Sequence, residues 1–240
     1  FEHFIHDPAN PESLLKLGVN AFFEDSHGDF WVGGDQGLHR FNRDSGKAER
    51  FIHNPEDSTS LSQGYISAIG EDSDGNLWIA TGANGLNKLN RKSQTFDHYT
   101  VKDGLADDRV GGIITDDQGY IWFGTGRGLS RYNPKTQQFK TYTEEHGLPG
   151  SLYKRPTAIK LRSGKLVFGS SKGLAIFNPQ DIAQNTTPPK VEITGFDIFN
   201  RPAAINEKGS PLQKAITETK SITLTYQQSV FSFEFAALDY

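Results

Sequence analysis

An all-β chain of β-propeller blades is the fold class that this sequence predicts, and three observations predict it. Aromatic residues make up 12% of the chain and there are 25 glycines. Helix-length apolar periodicities are few, so the composition suits short strands joined by tight turns. The phrase "GNLWIATGANGL" at 75–86 has near-copies in "GDFWVGGDQGL" from Gly28, "GYIWFGTGRGL" from Gly119 and "GKLVFGSSKGL" from Gly164. Placing Trp31, Trp78, Trp122 and Val167 in one register gives steps of 47, 44 and 45 residues, the period of four-stranded blades.

The elements follow in order. Residues 1–5, "FEHFI", are of fourth-strand type, because "FIHDPANPESL" recurs as "FIHNPEDSTSL" 47 residues later. Each repeat then opens with an apolar or alternating strand ("NAFFED", "ISAIGED", "GGIITDD", "TAIKL") that meets a turn ending in Gly28, Gly75, Gly119 or Gly164. The Trp strand follows and ends in a polar loop closed by Gly-Leu at 37–38, 85–86, 128–129 and 173–174. Glycine suits such corners because a tight turn often needs positive φ. A third strand such as "LSRYN" comes next, and a fourth carries spaced aromatics, Phe96 and Tyr99 or Phe139 and Tyr142. A blade cannot bury both faces alone, so the indoles are expected to pack each blade against its neighbour. Val167 fills less volume, which predicts a looser or differently packed last interface.

The last repeat has three strands through "LAIFN" and then turns into "PQDIAQNTTPPK". With the leading "FEHFI" it could close a ring of four blades, near the lower limit for propellers. The alternative, which we favour, is that both are cut ends of a larger ring in a partial or truncated propeller. The blades thus occupy residues 1–180. From 187 to 240 the period stops, and "TPPKVEITGFDIFN", "SITLTYQQS" and "VFSFEFAALDY" read as three strands of an incomplete antiparallel β-sandwich.

At this point the sequence resembles a known family. "EDSDGNLWIATGANGLNKLN" resembles the two-component regulator propeller repeat, and "ITLTYQQSVFSFEFAALDY" resembles the first part of the Y_Y_Y sandwich domain that follows such propellers. The resemblance implies the extracytoplasmic, periplasmic sensor of a bacterial inner-membrane receptor. It further implies a transmembrane helix and a kinase or diguanylate cyclase output outside these residues, with some relatives sensing oligosaccharides. A homodimer of the full-length receptor is expected on the same ground.

In a propeller the loop into each blade and the hairpin between its second and third strands emerge on one face, where ligands dock. Here the first set holds Tyr65, Arg109, Tyr153 and Arg155, and the second holds Asp35, Asn84, Arg127 and Lys172. The cationic groups suit hydroxyls or a carboxylate, and the tyrosines suit a sugar face. Taken singly, each also reads as solvated loop decoration.

Other signals are weaker. The pairs Glu24-Asp25, Glu71-Asp72 and Asp116-Asp117 suggest a glycosidase, but their recurrence at equivalent turns favours an Asp that accepts backbone N–H bonds. "DSDGN" at 72–76 departs from a calcium loop at Leu77 and Ala83. His6 and His53 are copies within a duplicated connector without a second ligand at metal spacing. "GTGRG" at 124–128 lacks a following helix, no serine shows a nucleophile elbow, and the "NTT" sequon at 185–187 carries no weight in a bacterial resemblance. The chain has no cysteine, which removes disulfides, thiolate metal sites and cysteine nucleophiles.

The formal charge of −4 is interspersed along the chain, leaving no footprint for nucleic acid or anionic lipid. No apolar run approaches ~18 residues, and the opening "FEHFIHDPAN" reads as neither a signal peptide nor an initiating methionine. The expectation is therefore a non-catalytic sensing fragment without cofactor or metal. It would bind an oligosaccharide or small molecule and meet a membrane only through a helix elsewhere. A glycan-cleaving propeller enzyme and a protein-interaction scaffold are the alternatives.

Overall fold

The structure, a computed structural model, describes residues 1–16, 18–153, 157–182, 190–207 and 209–238. The chain divides into two compact units, residues 1–182 and 183–240. The first is an all-β stack of four antiparallel sheets, each a meander in sequence order.

Sheet one holds β1 (Val19–Glu24), β2 (Phe30–Gly34), β3 (Gly37–Phe41) and β4 (Ala48–Phe51). Sheet two holds β5 (Ile66–Glu71), β6 (Leu77–Thr81), β7 (Leu86–Asn90) and β8 (Thr95–Tyr99). Sheet three holds β9 (Val110–Thr115), β10 (Ile121–Thr125), β11 (Gly128–Asn133) and β12 (Gln138–Tyr142). Sheet four has three strands among the described residues, β13 (Ala158–Lys160), β14 (Leu166–Ser170) and β15 (Gly173–Phe177). Residues of the four first strands, including Phe22, Ala68, Gly112 and Ala158, line one groove of about 250 Å³. This is propeller geometry, with first strands innermost.

The indoles do what their spacing predicts. Trp31, in sheet one, is buried among Leu61, Ile66, Ile69 and Leu77 of the second repeat. Trp78 meets Phe123 and Tyr132 of sheet three, with ring centroids 5.8 and 5.1 Å away. Trp122 packs on Phe177 of sheet four at 5.0 Å. Each Trp therefore belongs to one blade and is buried by the next, worth about 3–5 kcal/mol per side chain. Val167 is only half-buried, and Ile159, Leu174 and Ile176 on the same face are exposed.

The corners depend on glycine for a steric reason. Gly85 and Gly128 have φ of 71° and 113°, and a Cβ on either would collide with the carbonyl oxygen of Tyr99 or Tyr142. The fourth strand thus passes directly over each hairpin.

Two expected strands are not formed. Residues 1–5 carry no strand, and Phe4 instead packs edge-on against Phe41 at 4.9 Å. The four sheets are therefore not closed into a ring by "FEHFI" pairing with β15. In the second unit, β16 (Lys190–Ile198) lies between β17 (Arg201–Pro202) and β18 (Phe231–Leu238). "SITLTYQQS" is unpaired, with Tyr226 exposed. The reason is common to both: alternation makes a segment fit for a sheet, but a strand exists only where an edge accepts its hydrogen bonds.

Candidate functional site

At the turns between first and second strands the recurring aspartates do two jobs. Asp25 Oδ1 accepts the N–H groups of His27 and Asp29, both at 3.0 Å, and Oδ2 accepts the Trp31 indole N–H at 2.7 Å. Asp72 and Asp116 bind Trp78 and Trp122 in the same way at 2.9 and 2.8 Å. The sequence reading reached the turn bonds and missed the indole bonds, although a constant Asp-to-Trp spacing was the available signal. A cation faces each Trp across the hairpin, Arg40, Lys88 or Arg131. In sheet four Leu161, Val167 and Ile176 replace Asp, Trp and cation together.

At this end of the blades the clustered carboxylates have partners. Asp25, His27 and Glu71 lie within metal-ligand reach of one another, but the Arg91 guanidinium stands 2.6 Å from Asp25 and 3.8 Å from Glu71. Burial pushes the Asp25 carboxyl up, and the Trp31 and Arg91 bonds outweigh it, leaving the group below the usual carboxylate range. The carboxylates of the recurring pairs are each partnered here: Glu24 pairs with Arg43, Glu71 accepts from Ser26, and Asp117 pairs with Lys160.

The opposite end carries the loops. Backbone bonds tie each incoming loop to the hairpin of its own blade: Asp35 N–H to Gly18 O, Gly82 N–H to Tyr65 O, Gly126 N–H to Arg109 O and Ser171 N–H to Leu152 O. Gly85 N–H and Gly128 N–H reach the next blade's loop at Asp108 O and Ser151 O. The two loop sets therefore form one continuous row. A buried polar side chain in the third strand supports three of these loops: His39 accepts from Leu15 N–H, Asn87 from Ser62 N–H and Ser130 from Ala106 N–H.

Along this row the eight proposed residues separate. Asp35 holds Gly18 N–H and Asn20, and Asn84 donates to Gln63 O at 2.7 Å, so both fasten loops. Lys172 pairs with Glu144 at 3.2 Å. Tyr153 requires correction: it is 1% exposed and packed in the core with Trp122 and Phe168, so it cannot stack on a ligand. Its apolar ring fills space between sheets three and four, which a local reading of "SLYKR" does not reveal. Arg155 and the "NTT" sequon lie outside the described residues. Tyr65 lays its ring over Gly82 and remains 47% exposed.

Arg109 and Arg127 are brought together by Asp107, which the sequence reading overlooked. Asp107 accepts Arg109 Nε and Nη2, each at 2.9 Å, and lies 3.7 Å from Arg127 Nε. The Arg109 bonds hold the Asp107 carboxyl below its ordinary range and push the Arg109 guanidinium up. The carboxylate fixes one arginine as a rigid fork and leaves Arg127 facing solvent, an arrangement able to bind vicinal hydroxyls or a carboxylate.

The comparisons with known proteins agree with this architecture. Residues 60–83 and 104–127 match the family model described as two component regulator propeller. Particular relatives follow. Histidine kinase P4 of Formosa agariphila is 28% identical over 146 residues, covering 60% of this chain and 11% of that one. The extracellular domain of a protein classed as a hybrid two component system, from B. thetaiotaomicron, is 30% identical with a TM-score of 0.69, covering 97% of this chain and 31% of that one. PorZ, a surface component of the type-IX secretion system of Porphyromonas gingivalis, shares the fold at 22% identity and a TM-score of 0.52, over 76% of this chain and 28% of that one. The chain thus spans under a third of the length of each of these relatives.

Proposed function

We propose that this chain is part of the extracytoplasmic sensing region of a bacterial two-component or diguanylate cyclase receptor. The observation that carries the reading is the likeness of nearly the whole chain, 97% at 30% identity, to the extracellular domain of a protein classed as a hybrid two component system. In this reading the periplasmic loop row reads an oligosaccharide or small molecule, with Arg109 and Arg127 as hydrogen-bond donors and Tyr65 as a stacking face. The second unit acts as the start of a Y_Y_Y domain that relays binding toward a membrane helix, in a receptor that works as a homodimer. A ligand shifts such a receptor only by its differential affinity for two arrangements.

The test is calorimetry against a panel of neutral and acidic oligosaccharides, followed by the double variant Arg109→Ala/Arg127→Ala. Loss of two charge-assisted contacts is expected to weaken binding about 10–100-fold. Unchanged affinity removes these residues from the site. No saturable binding by any panel member, together with a stable protein partner, transfers the chain to the scaffold class.

A further inference from the structure

The cations that face each Trp across its hairpin belong to a second repeated pattern, one of charge. In sheet one Arg40 lies opposite Trp31 on one side and opposite Glu49 of β4 on the other. Its guanidinium pairs with Glu49 at 2.7 Å and with Asp29, two residues before the Trp, at 3.6 Å. In sheet two Lys88 lies opposite Asp97, and Asn76 stands at the Asp29 position. In sheet three Arg131 lies opposite Lys140, and Tyr120 stands at the Asp29 position. Carboxylates at these two positions thus fall from two to one to none, and in sheet three a second cation replaces the last of them.

Like charges directly opposite on neighbouring strands repel. Arg131 is also only 8% exposed, where a charge without a counter-charge is costly. Aromatic rings offset part of that cost. The Arg131 guanidinium lies 4.4 Å from the centre of the Tyr120 ring, 5.6 Å from that of Trp122 and 5.7 Å from that of Tyr142, all within cation–π range. Lys140 Nζ lies 5.7 Å from the same Tyr142 ring.

Rings neutralise no charge, and the carboxylates of the adjoining turns are engaged elsewhere. Asp116 holds the Trp122 indole, Asp117 pairs with Lys160 and Glu144 with Lys172, and among the described residues no ion pair reaches Arg131 or Lys140. The Tyr142 hydroxyl is buried without a hydrogen-bond partner among them. Sheet three is an internal blade, packed between sheets two and four, so its neighbours on both faces belong to this chain.

We propose that Arg131 and Lys140 together bind an oxyanion at the outer rim of sheet three. A guanidinium packed among rings keeps its N–H edge for acceptors, and that edge matches two oxygens of a carboxylate, sulfate or phosphate group. Lys140 is exposed and adds a point charge on the solvent side. The anion takes the part that Glu49 plays in sheet one. Because the site lies on the third and fourth strands, it is separate from the loop row and independent of the ligand assigned there. Its occupant is a free inorganic ion or an acidic group carried on a sugar, both of which present the same oxygens.

Calorimetry of the full chain with sodium sulfate and with sodium glucuronate, at an ionic strength held constant with chloride, tests this. Saturable binding of sulfate alone identifies a free inorganic ion, and saturable binding of glucuronate identifies an acidic sugar. Lys140→Gln is expected to weaken whichever binds about tenfold, through loss of one charge-assisted contact. Lys140→Glu rebuilds the arrangement of Arg40 and Glu49, so it is expected to abolish binding and to raise the urea midpoint in chloride buffer. Lys135→Glu, at an exposed position in the turn between β11 and β12, is expected to keep binding. The general strengthening of burial by sulfate acts on all these proteins alike and cancels between them. No saturable binding of either anion, or binding that survives unchanged in Lys140→Glu, overturns the proposal. So does a lower urea midpoint in Lys140→Glu, since there would then be no repulsion to relieve.

Discussion

The aspartate behind each indole joins a local turn to a non-local core. Its Oδ1 fixes the corner and its Oδ2 orients the ring that the next blade buries. The three sites are not equally supported. Asp72 also receives the Asn76 amide at 2.9 Å, whereas Tyr120 stands at that position beside Asp116. Trp122→Phe should therefore cost about 1–3 kcal/mol more than ring-volume loss alone explains, and Trp78→Phe distinctly less, read from urea midpoints. Equal costs would show that the Asn76 amide does not compensate Asp72 for the lost indole bond.

His39 offers a pH test. It is buried, its Nε2 accepts Leu15 N–H at 3.3 Å, and its Nδ1 lies 3.4 Å from Val32 O, a pattern that needs the neutral ring. Burial, with the charge of Arg50 adding to it, holds its pKa below 6.5, while the Val32 bond pulls the other way. The unfolded chain then takes up a proton between 6.5 and the lower folded value while the native state does not, so stability falls as pH drops through that window. His39→Asn, which copies Asn87, should flatten this dependence between about pH 7.5 and about 5.5. A wild-type midpoint that does not move over the same range would contradict the assignment.

Elements form here by matching a local pattern to an available edge. The first, second and third strands of every blade are legible because their alternation and glycine corners are set within about ten residues. Gly128→Ala should cost more than Gly147→Ala. Both have positive φ, but only Gly128 faces a carbonyl that a Cβ would strike, while Gly147 opens onto free space. About 1 kcal/mol is expected at Gly147 and more at Gly128, measurable by thermal unfolding. "FEHFI" and "SITLTYQQS" carry an equally good pattern and are unpaired, because pairing depends on distant chain. The Asp107 bridge escaped the sequence reading for a related reason: it links a loop to a hairpin on the far side of two strands, through geometry that neither segment contains.

Across the whole first unit, burial is graded. Sheets two and three are covered on both faces, while sheet four exposes Ile159, Leu174 and Ile176. Hydrogen exchange should be slowest in β6 and β10 and faster in β13 to β15, since local opening costs more where it uncovers more apolar surface. Uniform protection would mean that the blades unfold as one body. By itself the sequence determined the blade class, the repeat register and the indole contacts, because these rest on short-range periodicity repeated often enough to be unambiguous. Which loop residues are free to meet a ligand was decided only by the tertiary structure: whether Tyr153 turns inward, or Asp107 gathers two arginines, depends on chain that arrives from the neighbouring blade.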